Sequence, residues 1–203
     1  MTTDGTFRLL LLAIFLFFLP FALFYRIRSL TDEKLDRWQE GAFILFGLRL
    51  SAIPCFISGI TWMIDPERMA WASVPIPTWL RWCGFPLLGF GGFLVVWTFR
   101  NLGKNLTDTV VTRNDHSLVT TGPYRYVRHP FYLAGIVSNL GGSLMTANWF
   151  LLLLGLVPLG FLVVRTRIEE EKLIDRFGDD YRDYMARTGR FLPRFKQQRQ
   201  SLS

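Results

Sequence analysis

Two blocks of this 203-residue chain concentrate side chains able to do chemistry. The first is Leu118-Val119-Thr120-Thr121-Gly122-Pro123-Tyr124-Arg125-Tyr126-Val127-Arg128-His129-Pro130-Phe131-Tyr132, which sets guanidinium, imidazole and phenol groups directly before an apolar run. Gly122-Pro123 is a turn signal, and Pro130 suits the first turn of a helix, which places Arg128 and His129 at that helix's N-terminus. The second block, Arg165-Thr166-Arg167-Ile168-Glu169-Glu170-Glu171-Lys172-Leu173, puts three consecutive carboxylates at the end of another apolar run. Carboxylates there are costly unless paired or solvated. Successive helical residues point about 100° apart, so at most two of the three face one neighbour, whereas Arg165 and Glu169 share a face. Alone, each block also fits anchoring at a membrane surface, with arginine snorkelling and tyrosine in an aromatic belt.

The elements that must hold these blocks are apolar. Half the chain is hydrophobic (50%), with 19 Phe and 7 Trp. Runs of about 18 or more residues carry at most one charge, the length that crosses a ~30 Å hydrocarbon core. The spans are expected at about 7–25, 41–64, 79–99, 130–147 and 149–167, the last two joined by an uncharged turn. Pro20 is expected to kink the first. A helical period through Ile168, Leu173, Ile174 and Phe177 carries a helix on past the last span. The expectation is one all-α integral membrane domain over 1–203, with five transmembrane helices, a catalytic connector (100–129) and a C-terminal helical segment (165–195). There is no internal repeat. The first apolar run is too long for a cleavable signal and lacks a small-residue cleavage site.

Orientation follows from Lys and Arg counted between spans. The first connector holds Arg26, Arg28, Lys34 and Arg37, the second only Arg68, and the third Arg100, Lys104, Arg113, Arg125 and Arg128. The N-terminus is therefore expected outside and the catalytic face in the cytoplasm, as for a protein of the bacterial inner membrane. The net charge of +7 belongs to these membrane flanks rather than to a nucleic-acid module, so membrane lipids and not nucleic acid are the expected partners. Cys55 and Cys83 have no metal-ligand spacing and read as buried thiols; no metal is expected. Arg49, eight residues into the second span, either faces the bundle or snorkels to the cytoplasmic side. His116 reads as a loop residue, and Trp97 and Arg100 as interface markers. Gly89-Phe90-Gly91-Gly92 lies in an apolar helix rather than after a strand, which favours close helix packing over a cofactor contact. The sequence carries no signal for oligomeric state.

Three runs taken together resemble a known family. They are G-P-Y-R-Y-V-R-H-P-F-Y-L-A-G (Gly122 to Gly135), R-x-x-x-E-E-x-x-L-x-x-x-F-G-x-x-Y-x-x-Y (Arg165 to Tyr184) and R-F-L-P (Arg190 to Pro193). They are similar to those of the isoprenylcysteine carboxyl methyltransferase family and the wider membrane methyltransferases, phospholipid N-methyltransferases included. The resemblance begins at Leu102-Gly103-Lys104-Asn105; before it only the hydropathy is similar. It implies S-adenosylmethionine as methyl donor, held between the last spans and the C-terminal helix, and an amphiphilic or lipid-like acceptor. It implies Arg128, His129 and Glu170 as catalytic residues. Leu118, Val119, Gly122, Tyr124, His129, Glu169 and Glu170 are the implied cofactor-binding residues. Arg128 could hold an anionic acceptor such as a carboxylate. Phospholipid N-methyltransferases place a G-x-G in a comparable span, which keeps a cofactor contact at Gly89–Gly91 as the alternative. Carboxyl O-methylation is the first expectation, with phospholipid N-methylation or small-thiol S-methylation as variants. The rivals of another class are an NADPH-dependent enzyme like the sterol reductases, which share a similar C-terminal pattern, and a non-enzymatic membrane scaffold.

Overall fold

The computed structural model of the chain describes residues 3–28, 41–103 and 117–194. Long apolar runs become helices because lipid offers no partner for a free backbone N–H or C=O. The helices are α1 (Thr3–Arg28), α2 (Ala42–Ile64), α3 (Thr78–Leu102), α4 (Pro130–Thr146), α5 (Trp149–Phe177) and α6 (Asp179–Arg187), with short 3-10 segments at Pro66–Ala72 and Gly122–Arg125. Helix α1 runs on past Pro20. Among the described residues four helices, α1, α2, α3 and α5, are long and apolar enough to cross a membrane. Helix α4 has 17 residues, about 26 Å at helical rise, a little less than a full core. Helix α5 does not stop at the charged block but carries Glu169 and Glu170 onward as part of one rod. Residues 29–40 of the first connector, 104–116 of the third (His116 included) and the tail from 195 lie outside the described residues.

Small residues set the packing. Gly84 of α3 lies against the Gly141 backbone and Met145 of α4, and Gly91 lies against Ser138 and Ala134. Gly92 takes the Phe18 ring of α1, and Gly47 of α2 takes the Phe161 ring of α5. Close packing thus accounts for Gly84, Gly91 and Gly92, as small interface residues do between membrane helices. The uncharged turn between α4 and α5 uses Ala147 in the left-handed region (φ 49°). Asn148 caps α5 by accepting the Leu151 N–H at 3.0 Å and donates to the Met69 carbonyl at 3.1 Å.

One expectation is corrected. Cys83 is exposed and Cys55 only half-buried, not buried thiols. Helices facing lipid are apolar all round, so an apolar neighbourhood in sequence does not mark the bundle interior. Of the two placements left open for Arg49, the structure has the one outside the bundle, exposed on α2. Arg81, near the start of α3, does turn inward. Its Nε and Nη2 donate to the Met145 carbonyl at 3.0 and 2.7 Å, its Nη1 meets Asp4 at 2.7 Å, and it lies 4.2 Å over the Phe7 ring.

Candidate active site

The site is built where three segments converge at the end of α5. Pro130 opens α4 with His129 as its N-cap. Upstream, Gly122 turns the chain at φ 59°, with its α-carbon against the Asn101 side chain, where any Cβ would clash. The chain then runs beside the segment after α6. The Arg128 N–H donates to the Gly189 carbonyl at 2.9 Å and the His129 N–H to the Arg190 carbonyl at 3.1 Å. Tyr184 of α6 donates its hydroxyl to the Tyr124 carbonyl at 2.7 Å.

Glu170 is the hub. Its side chain is 4% exposed. Its Oε1 accepts from Arg128 Nε at 2.8 Å and from Arg190 Nε at 3.2 Å, and lies 3.2 Å from His129 Nε2. Its Oε2 takes Arg190 Nη2. Arg128 spends its Nη1 on the carbonyls of Met185 and Thr188, so one guanidinium joins α5 to the end of α6. Glu169 forms a second node. It accepts the Tyr132 hydroxyl at 2.5 Å, pairs with Arg165 at 3.2 Å and lies 3.4 Å from His129 Nδ1. Glu171 is exposed.

His129 therefore sits between two carboxylates, its ring parallel to that of Tyr132 with centroids 5.3 Å apart. Burial alone would depress this imidazole. The hydrogen bonds to Glu169 and Glu170 and the charges of both outweigh that, and its pKa is raised above the ordinary value. Burial pushes the Tyr124, Tyr181 and Tyr184 phenols up as well, so they stay protonated donors. Three guanidiniums (Arg128, Arg165, Arg190) face two carboxylates (Glu169, Glu170), a surplus of one positive charge before any proton on His129.

Of the residues the sequence pointed to, Arg128, His129, Glu169 and Glu170 are brought together. Gly122 forms the turn beneath them, and Tyr124 joins through its carbonyl. Leu118 and Val119 lie half-buried upstream of the turn, outside the ionic cluster. Sequence reasoning missed the parts of Arg190 and Tyr132. Arg190 stood in the R-F-L-P run with no role given. Tyr132 follows His129 by three residues, a spacing that places the two side chains on one helical face.

These features define a helical integral membrane protein with a buried ionic cluster at one end of its bundle. The chain belongs to the phospholipid methyltransferase family, whose model matches residues 79–180. It is 32% identical over 133 residues to the protein-S-isoprenylcysteine O-methyltransferase of Mus musculus, covering 64% of this chain and 47% of that protein. It is 27% identical over 157 residues to the methanethiol S-methyltransferase of Mycobacterium tuberculosis, covering 77% of this chain and 56% of that protein. Among solved structures it resembles a eukaryotic intramembrane Ras methyltransferase, isoprenylcysteine carboxyl methyltransferase. The TM-score is 0.55 and the identity 26%, over 71% of this chain and 51% of that one. The chain spans about half the length of these relatives.

Proposed function

We propose that this protein is an S-adenosylmethionine-dependent methyltransferase acting on a membrane-accessible acceptor. The observation that carries the reading is the buried Glu170 hub, which gathers Arg128, His129 and Arg190 from the third connector and the end of the chain. Methyl transfer to an anionic acceptor neutralises charge, so a low-dielectric pocket favours it. The donor supplies the electrophilic methyl group; the residues supply binding, orientation and exclusion of water.

The donor set fits that ligand. One surplus guanidinium charge suits a carboxylate, on donor or acceptor. Among the described residues Arg128 Nη2 makes no hydrogen bond, while Nε and Nη1 are held, so a fixed fork keeps donors to spare. Glu169, with its side chain 19% exposed, is the carboxylate open enough to take an ammonium. Glu170 acts through the groups it fixes. Leu118, Val119, Gly122 and Tyr124 are assigned to the adenosine side of the pocket.

The acceptor favoured by the Mus musculus relative is an isoprenylcysteine carboxylate. A small thiol is the second reading, because the methanethiol methyltransferase matches more of this chain. The reading includes five crossings, with the shorter α4 as the fourth, the N-terminus outside and the cluster on the cytoplasmic side of a bacterial inner membrane. In a variant without Cys55 and Cys83, Thr120→Cys and Ser73→Cys should label from opposite sides; labelling from one side would sink the topology.

The function is tested by thermal shift of the detergent-purified protein. S-adenosylhomocysteine at one hundred times its dissociation constant should stabilise the fold by about 2.7 kcal/mol. A shift with NADPH and none with S-adenosylhomocysteine would overturn the reading. Methyl transfer to a farnesylcysteine analogue, to methanethiol and to phosphatidylethanolamine then separates the acceptors.

A further inference from the structure

We infer that the end of the bundle opposite the catalytic cluster carries a binding site for the phosphoethanolamine headgroup of a membrane phospholipid. A half-open cavity of about 450 Å³ lies there, between the start of α1, the 3-10 segment after α2, the start of α3 and the end of α4. Helix α4 separates it from His129 by its whole length, 17 residues or about 26 Å. No single small ligand reaches both.

The charges of the cavity sort themselves. Arg81 is satisfied by Asp4 and the Met145 carbonyl, and Asp65 by Arg68 at 3.1 Å and the Glu67 N–H at 3.2 Å. Two lining charges are left: Arg8 on α1 and Glu67 on the 3-10 segment. Among the described residues neither side chain has an ion-pair partner, and no bridge joins them. One free cation and one free anion on separate walls are the complement of a zwitterion, with Arg8 toward phosphate and Glu67 toward ammonium. A primary ammonium is favoured over a quaternary one. Glu67 needs N–H donors to make a charge-assisted bond, and the lining holds one aromatic ring, Trp62, rather than the cage a quaternary cation takes.

The depth is that of a lipid headgroup. Trp71, Trp79, Trp82 and Trp149 are all exposed around this end, the belt that tryptophan forms at a membrane–water interface. Ile64 and Val74 line the cavity and are exposed, an apolar surface beside the charges that suits acyl chains. A lipid is therefore the source the site favours over a soluble phosphoethanolamine.

The test uses delipidated full-length protein in detergent, with binding followed by native mass spectrometry and by melting temperature. The probes are dioleoyl phosphatidylethanolamine, phosphatidylcholine and phosphatidylglycerol, and water-soluble glycerophosphoethanolamine. The wild type should bind phosphatidylethanolamine about tenfold or more tightly than the other two lipids, the size expected for one charge-assisted hydrogen bond. Glu67→Gln should erase that preference, whereas Arg8→Gln should weaken all three lipids about tenfold, because each carries the phosphate. Equal affinity for the three lipids overturns the site, and this arm needs no variant to fold. A preference that survives Glu67→Gln overturns the assignment of Glu67, and lipid affinities left unchanged by Arg8→Gln overturn that of Arg8. Glycerophosphoethanolamine binding as tightly as the lipid overturns the lipid as its source.

Discussion

Arg128 and Glu170, 42 residues apart in the chain, meet at 2.8 Å with side chains 6% and 4% exposed. A pair this buried is held because each partner compensates the desolvation of the other. Removing one leaves an uncompensated charge, at a cost of about 3–5 kcal/mol. Glu170→Gln keeps the shape but strands Arg128 and Arg190. It should lower the melting temperature of the purified protein sharply and weaken S-adenosylhomocysteine binding with it. Glu171→Gln, on the exposed side of the same turn, should change stability by about 0–1 kcal/mol. Equal effects at the two neighbours would mean that overall charge, not the Glu170 hub, is what the helix end requires.

Arg190 grips Glu170 through both Nε and Nη2, and its side chain is 37% exposed. Lysine keeps the charge there but loses the planar fork. Solvent screens part of this contact, so Arg190→Lys should cost less than Glu170→Gln. The informative measurement is the double-mutant cycle. Residues sharing one ionic network couple by about 0.5–3 kcal/mol, so the double variant should be more stable than the sum of the two single losses implies. Strict additivity would remove Arg190 from the hub.

Much of the site could be read in advance because its parts are local. Gly122-Pro123, His129-Pro130 and the Arg165–Glu169 spacing each state a turn, a cap or a shared helix face, and the structure has all three. What the sequence did not state is which distant groups meet. Arg190 reaches Glu170 only because backbone bonds from Arg128 and His129 align residues 189–190 with the connector, and no spacing rule encodes a pairing of that kind. The apolar face was equally silent. In lipid the outside of a helix is as apolar as the inside, so Cys83, Arg49 and Arg81 could not be sorted by neighbourhood. Burial of Arg81 depended on Asp4, Phe7 and the Met145 carbonyl, contributed by two other helices.

The raised pKa of His129 fixes the sign of a pH dependence. The folded protein holds this proton more tightly than the unfolded chain, whose imidazole titrates near ~6.5. The stabilisation is complete below that pH and is lost as pH rises through the higher folded value. The melting temperature should therefore fall from about pH 6.5 upward. His129→Asn should flatten that part of the curve, because the proton shared with Glu169 and Glu170 is gone. Parallel curves for wild type and variant would assign the pH dependence to other groups.

Gly84 and Gly89 lie on the same helix and make opposite predictions. A Cβ at Gly84 would meet the Gly141 carbonyl and the Met145 backbone, neither of which can turn aside, whereas one at Gly89 meets nothing within 4 Å. Gly84→Leu should separate α3 from α4 and cost about 1–3 kcal/mol, as overpacking does. Gly89→Ala should be neutral or stabilise, since alanine is favoured over glycine in a helix by about 0.5–1 kcal/mol. Melting curves of the two purified variants decide the packing. Binding decides the rest: a Gly89 that only faces lipid leaves affinity for S-adenosylhomocysteine unchanged on substitution by alanine. A tenfold loss in Gly89→Ala at unchanged stability would instead make this glycine part of the cofactor pocket, and the packing account of the cluster would then hold for Gly84, Gly91 and Gly92 alone.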